Sequence, residues 1–455
     1  VKNILNDALR GCPADYAEIR FETRDSTTLS YRGVEVENVG AGRFEGGIVR
    51  ACTKGGWGLS VFDSLTDLKS HVREACANAA LVGRETTQLA ETAPLPDVSR
   101  TARMTRDFRS VPFDEKLALL ANYNDIVLNA HPTVESSYVM YGDAFRTVNF
   151  ASTRGIAFTE ERPRVILYLV AVARDGSLVQ RASESFSSAN DYSVVLDRET
   201  VARDVADRAD ALLRAPQCEG GKRTVILRPD FAGVFAHEAF GHLSEGDFLY
   251  ENPNMKKLMA RGRQMGSKEL NIVDDGSIGG LIGTQTVDDE GTPTQKTMLI
   301  ENGVLSGHLH SLETAAKMGE QPTGNARAIG RGVPPIVRMT NTYIGAGPMK
   351  KDDLFRDVED GVYACGMMGG QTMMEMFTFS AAYGYRIENG QLGELMRDIV
   401  VTGNVFETLH GIDGIADDIQ MFELGGGCGK GGQAPLPVTF GGPHVRVRNV
   451  VVGGK

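Results

Sequence analysis

Pro229-Asp230-Phe231-Ala232-Gly233-Val234-Phe235-Ala236-His237-Glu238-Ala239-Phe240-Gly241-His242-Leu243-Ser244-Glu245-Gly246-Asp247 is the stretch on which the fold reading turns. Proline beside an aspartate is a helix-start signal. Phe231, Val234 and Phe235 form an apolar stripe at helical spacing, and Gly246 is the expected stop. A strand is expected just before, over 224–227. Nearly everything after the helix is strand-like and glycine-rich, punctuated by turn signals at Asp275-Gly276, Glu290-Gly291, Glu301-Asn302-Gly303 and Glu388-Asn389-Gly390. The helix therefore opens a β-rich C-terminal domain over 222–455, which closes on a β-branched run at 445–452.

Upstream the texture differs. Residues 2–10 read as a short helix stopped by Gly11, 16–62 as a strand meander, and 65–81 as a helix. A polar stretch with three prolines, 86–112, reads as a linker. The pattern then resumes with a helix over 113–129, several strands over 134–188 and a helix over 195–213. Helix, strands, helix thus occurs twice, and a hinge at 215–222 separates an N-terminal mixed helix/strand domain, 1–215, from the strand-rich part. The predicted class is α+β, with the helix that begins at Pro229 in the C-terminal domain.

Composition removes several function classes. The chain of 455 residues carries a formal charge of −11, so it lacks the electrostatic footprint of nucleic-acid and anionic-membrane binders. Its longest strongly apolar run, 165–173, is far short of the ~20 residues a spanning helix needs. Residues 1–5 hold no signal-peptide apolar region, and Cys12, Cys52, Cys76, Cys218, Cys365 and Cys428 show no C-x-x-C spacing. A reducing, cytoplasmic setting is expected.

His237-Glu238-Ala239-Phe240-Gly241-His242 carries the chemistry. Zinc-protease helices place two histidines four apart, leaving both rings about 40° apart on one face. Here the spacing is five, which in a regular α-helix would put the rings about 140° apart. A π-type turn of roughly 80° per residue brings them within about 50°, and such turns occur mostly at functional sites. Gly241 is where the backbone is expected to deform most cheaply. A catalytic zinc needs a third protein ligand. Candidates are Glu245 and Asp247 at the helix exit, His308 and His310, and Cys428 in Leu424-Gly425-Gly426-Gly427-Cys428-Gly429-Lys430-Gly431-Gly432, where Lys430 and a cation would both favour the thiolate. That loop is not a Walker A loop, because Leu424 and Gly431 stand where Gly and Ser or Thr are required. Nor does its formal G-x-G-x-x-G open a helix, since Ala434-Pro435-Leu436-Pro437 follows.

The histidine block together with the late Cys428-Gly429-Lys430 resembles the TldD/PmbA family, specifically its TldD-type members, which are metallopeptidases. The blocks Val273-Asp274-Asp275-Gly276, Asp288-Asp289-Glu290-Gly291-Thr292-Pro293, Pro322-Thr323-Gly324-Asn325 and Arg338-Met339-Thr340-Asn341-Thr342 are similar to that family's C-terminal half. The resemblance covers nearly all of 222–455 and, more weakly, the N-terminal half. It implies one divalent ion, zinc foremost, on His237, His242 and Cys428, with Glu238 as general base and with unfolded proteins or peptides as substrate. It also implies a homodimer, or a heterodimer with a non-catalytic family paralogue. Glu245 or Asp247 would then orient a ligand imidazole. An extended peptide would be recognised through its main chain at a sheet edge. The methionines of 367–376 exceed the family pattern, and core filling is their expected role, with an adaptable peptide-contacting surface second. The competing function is a metal-stabilised assembly subunit in which Glu238 merely pairs. A hydrolase acting on a non-peptide would share the site.

Overall fold

The computed structural model describes residues 1–84, 89–92, 98–423 and 427–453. Part of the expected linker, 85–88 and 93–97, lies outside the described residues, as do residues 424–426 of the glycine loop. The N-terminal elements are α1 (Lys2–Leu9), β1 (Tyr16–Arg32), β2 (Glu35–Thr53), β3 (Gly56–Phe62), α2 (Leu68–Val82) and β4 (Val98–Arg100). They continue with α3 (Phe113–Asn129), β5 (Val134–Ser152), β6 (Ala157–Asp175), β7 (Leu178–Ser188) and α4 (Glu199–Arg214). Helix, strands, helix does recur, but the strands of both passes join one seven-stranded sheet through antiparallel pairing of β1 with β5. Alternation explains its faces. Val139, Tyr141 and Phe145 of β5 point inward against Leu120, Tyr123 and Val127 of α3 and Val205 and Ala209 of α4. Ile19 and Phe21 of β1 join Val72, Ala75 and Ala79 of α2 in a second apolar cluster.

β8 (Gly221–Leu227) opens the C-terminal part and lies between Asp360–Met373, to which it is parallel, and Val445–Gly453. These strands belong to a second seven-stranded sheet, completed by Val400–Asn404, Met376–Glu388, Gln391–Met396 and Ile412–Ile415. A six-stranded sheet runs Val304–Leu305, Lys296–Glu301, Ile272–Asp275, Asn341–Ile344, Thr439–Gly442, Gln420–Glu423. The turn signals act as expected at two hairpins. Asn302-Gly303 and Asn389-Gly390 all have positive φ, the pairing that two-residue hairpin turns require.

α5 (Pro229–Val234) packs against strands of both C-terminal sheets. Phe231, Phe235 and Phe240 are buried in the core these sheets share, each contributing about 2–3 kcal/mol by burial. Gly233 fits because a Cβ there would come within 2.5 Å of the Gly441 backbone nitrogen. No helix among the described residues is long and apolar enough to cross a membrane.

Among the arginines of the first sheet that reach into the C-terminal part, two meet carboxylates there. Arg162 Nη1 donates to Asp289 Oδ1 at 2.8 Å and Arg50 Nη1 to Glu290 Oε1 at 3.1 Å, with all four side chains largely or fully buried.

The methionine block departs from expectation. Met367 packs against the core, but Met373 is 69% exposed, and Met368, Met374 and Met376 are also exposed. Asp360–Met373 pairs with β8 as far as Ala364 and with Met376–Glu388 out to Met373, and Met376–Ser380 pairs in turn with Val400–Asn404, so the methionine tip belongs to the sheet but presents its side chains to solvent.

Candidate metal centre

Pro229 starts α5, and Asp230 closes that end: Oδ1 accepts from the Phe231 amide at 2.8 Å, and Oδ2 from Gly366 N at 3.1 Å and Arg228 Nε at 2.9 Å. The helix then widens. Phe235–Gly241 is a π-helix in which the His242 amide donates to the His237 carbonyl five residues back. This wide turn is what the five-residue spacing requires. It brings the imidazole centroids to 5.3 Å, with the rings nearly perpendicular. Gly241 itself keeps ordinary helical dihedrals, φ −58° and ψ −49°. Its glycine has another cause, since a Cβ would lie 2.0 Å from Met339 Sδ. Gly246 does not end the element either. A 3₁₀ turn, His242–Ser244, does so, and Gly246 begins a new helix where a Cβ would strike the His310 ring.

Cys428 arrives on a two-stranded hairpin, Cys428–Lys430 with Gln433–Leu436, turned by Gly431 and Gly432, both at positive φ. Its Sγ lies 3.4 Å from His242 Nε2. One ligand atom from each of His237, His242 and Cys428 falls within 4.8 Å of the others. Tetrahedral zinc with bonds of ~2.0–2.3 Å separates its ligand atoms by roughly 3.3–3.7 Å, so small adjustments suffice. His237 is fully buried, and neither of its ring nitrogens has a hydrogen-bond partner among the described residues. A cation on this donor set would satisfy one of them, so the residues fit a divalent ion of intermediate softness.

The electrostatics favour a thiolate paired with an imidazolium, whose proton a bound cation would displace. Burial acts to raise the Cys428 thiol, but the charges of the neighbouring His237 and His242 imidazoles, with His242 Nε2 in hydrogen-bond contact, outweigh it and pull the group down to about 4. Burial acts to lower His242; Glu245 and Cys428 overcome it and hold the imidazole well above its usual range. A thiolate is the form that binds metal.

Glu238 lies on the same wide turn. Its Oε1 is 4.0 Å from His237 Nε2 and its Oε2 3.7 Å from His242 Nε2, too long for hydrogen bonds. The carboxylate is 27% exposed, open to solvent beside both ring nitrogens. The backbone of Glu238 is held by Thr372 of the methionine hairpin, whose Oγ1 donates to the Glu238 carbonyl at 2.9 Å.

The two expected orienting carboxylates separate. Glu245 is the one at the imidazole: its Oε2 accepts from His242 Nδ1 at 3.0 Å, leaving Nε2 to face Cys428. Asp247 is placed against Lys430 at 2.7 Å instead. Lys430 does not serve the thiolate. Its Nζ donates to Glu245, Asp247 and the Val337 carbonyl, and the histidines act on the sulfur. His308 and His310 are not part of this group. They are buried with Glu320 in a second cluster, reached through backbone pairing of Leu309 with Glu245. Sequence reasoning missed Thr372, Met339 and Glu320. None carries a spacing signal; only the folded chain brings them in.

The chain matches the PmbA/TldA metallopeptidase models along most of its length: domain 1 over residues 17–80, the central domain over 106–213 and the C-terminal domain over 220–454. It belongs to the TldD/PmbA metallopeptidase family. A TldD/PmbA relative in Synechocystis, named a metalloprotease, is 42% identical over 97% of this chain and 95% of its own. One from Saccharolobus solfataricus, named a zinc metalloprotease TldD homolog, is 30% identical over 97% of each. The solved structure of TldE from Thermococcus kodakarensis superposes with a TM-score of 0.79 at 18% identity, covering 99% of both chains, a likeness of fold. The structure accordingly combines helices with many strands and is richest in strands toward its C-terminal end.

Proposed function

We propose that this chain is a zinc-type metallopeptidase that hydrolyses peptide bonds in unfolded proteins or peptides, with one catalytic ion held by His237 Nε2, His242 Nε2 and Cys428 Sγ. Bound there, the ion would supply Lewis acidity toward the scissile carbonyl and make a water molecule acidic near neutral pH. Glu238 is the base: its carboxylate takes the proton of the attacking water and delivers it to the departing amine. Glu245 fixes the His242 tautomer by accepting from Nδ1, and Lys430 holds Glu245 in place. The observation that carries this reading is the solvent-open Glu238 carboxylate beside two nitrogens and a sulfur that lack a fourth protein ligand among the described residues.

The setting we propose is the cytoplasm, in keeping with free cysteines. A homodimer, or a heterodimer with a non-catalytic paralogue, is the proposed assembly. The alternative of a metal-stabilised assembly subunit is less favoured, because structural zinc usually takes four protein ligands. Metal content and cleavage of an unfolded protein, measured for the parent, Glu238→Gln and Cys428→Ser, test the proposal. Glu238→Gln should keep its ion and lose cleavage, whereas Cys428→Ser should lose both. Full activity in Glu238→Gln would remove it as the base.

A further inference from the structure

The helix Leu312–Met318 is pinned at both ends. Ser311 and Thr314 form a capping box, and Gly319 closes the other end in the left-handed region at φ 69°. Just outside these caps stand His310 and Glu320, and two residues before His310 stands His308. The three converge: His308 Nδ1 is 2.8 Å from Glu320 Oε1, and His310 Nε2 is 3.4 Å from Glu320 Oε2.

The hydrogen bonds around this group are those of ligating imidazoles. His308 Nε2 faces the Met259 carbonyl at 2.8 Å; a carbonyl only accepts, so this nitrogen carries the hydrogen and a neutral ring turns its Nδ1 lone pair toward Glu320. His310 Nδ1 sits 3.1 Å from Thr314 Oγ1, which leaves Nε2 pointing at the same carboxylate. That Nε2 belongs to a fully buried side chain and makes no aligned hydrogen bond. The His308 lone pair and the carboxylate repel unless a cation, a proton or a metal ion, lies between them, and the Thr314 hydroxyl, able to accept from His310 Nδ1, lets His310 turn a lone pair the same way. Outer nitrogens anchored to oxygen atoms are the usual support of histidine ligands.

We propose that His308 Nδ1, His310 Nε2 and Glu320 hold a second divalent transition-metal ion, distinct from the one at His237, His242 and Cys428. Two imidazoles and one carboxylate suit zinc, and the partly exposed Glu320 leaves room for water as a fourth ligand. Its role follows from position. Gly246 N donates to the Leu309 carbonyl at 2.8 Å and Leu309 N to the Ser244 carbonyl at 2.9 Å, so the ion fastens the segment on which Glu245 rests. The inference does not depend on the peptidase reading, since it concerns different ligands.

The test is zinc stoichiometry of the full chain, loaded with zinc and freed of excess, by native mass spectrometry. The parent should carry two ions. His310→Gln and Glu320→Gln should each carry one, while Cys428→Ser should keep the second. Cobalt separates the sites without relying on any one variant. The parent should show thiolate-to-cobalt charge transfer from one ion, plus visible d–d bands from another that has only nitrogen and oxygen ligands. A single ion in the parent would mean that protons alone bind His308 and His310 to Glu320, and would overturn the proposal. So would a second ion that survives both His310→Gln and Glu320→Gln.

Discussion

Lys430 Nζ lies 2.9 Å from Glu245 Oε2, tying the cysteine hairpin to the turn that follows the second histidine. The same oxygen accepts from His242 Nδ1, and Lys430 also pairs with Asp247 at 2.7 Å. Replacing Lys430 by Met strands the buried Glu245 carboxylate and leaves the half-buried Asp247 without its partner. We expect Lys430→Met to lose about 2–4 kcal/mol of stability in urea denaturation. Zinc affinity, read by competition with a chromophoric chelator, should fall roughly 10–100-fold. Unchanged affinity would mean that the clamp does not orient the histidine.

Gly241 meets Met339 with no space for a methyl group. Gly241→Ala should therefore cost about 1–3 kcal/mol through overpacking. Shortening the opposing side chain in Gly241→Ala/Met339→Ala should recover part of that loss, a non-additivity visible in a double-mutant cycle. Strictly additive penalties would point to the backbone instead.

Glu423 provides a pH signature away from the histidines. Burial pushes its carboxyl up to about 8, against the smaller opposing effects of the Ile282 amide and Arg164, and its Oε2 has no hydrogen-bond partner among the described residues. The folded state thus binds a proton that the unfolded chain has released above the ordinary carboxylate range. Stability from this group is full below about pH 4.5, falls as pH rises, and levels off beyond about 8. Glu423→Gln should remove that slope, matching the parent near pH 4.5 and exceeding it by about 2–4 kcal/mol at pH 9. Parallel denaturation curves across this range would contradict the assignment.

Exposure of Met373, Met374 and Met376 makes them poor contributors to the core. Converting all three to Thr should shift the thermal midpoint by no more than about 1–2 °C. Because this hairpin holds the Glu238 backbone through Thr372, its apolar tip borders the metal centre, and the triple variant should raise KM for an unfolded substrate more than it lowers kcat. A large loss of stability would return these residues to the core.

Local patterns were the legible part of this chain. The helix Phe113–Asn129 follows from apolar periodicity, the Asn389-Gly390 hairpin from turn chemistry, and the π turn from the impossibility of chelation at regular α spacing. Long-range partners were not legible. Lys430 was expected to favour the Cys428 thiolate, but the register of its hairpin carries the ammonium to Glu245 and Asp247. The histidines at 308 and 310 gave no hint of Glu320, because the helix between them sets that meeting in three dimensions. A methionine-rich strand looks the same in sequence whether another layer covers its face or leaves it open.

Arg50 and Arg162 cross from the first sheet to Glu290 and Asp289. A chain severed near 215–222 would keep His237, Glu238, His242 and Cys428, yet Asp289 and Glu290 would lose the arginines that pair with them to the discarded fragment. The seam visible in connectivity is thus sealed electrostatically. The minimal working unit is consequently the two halves together, so trimming toward a smaller catalyst would have to rebuild that junction first.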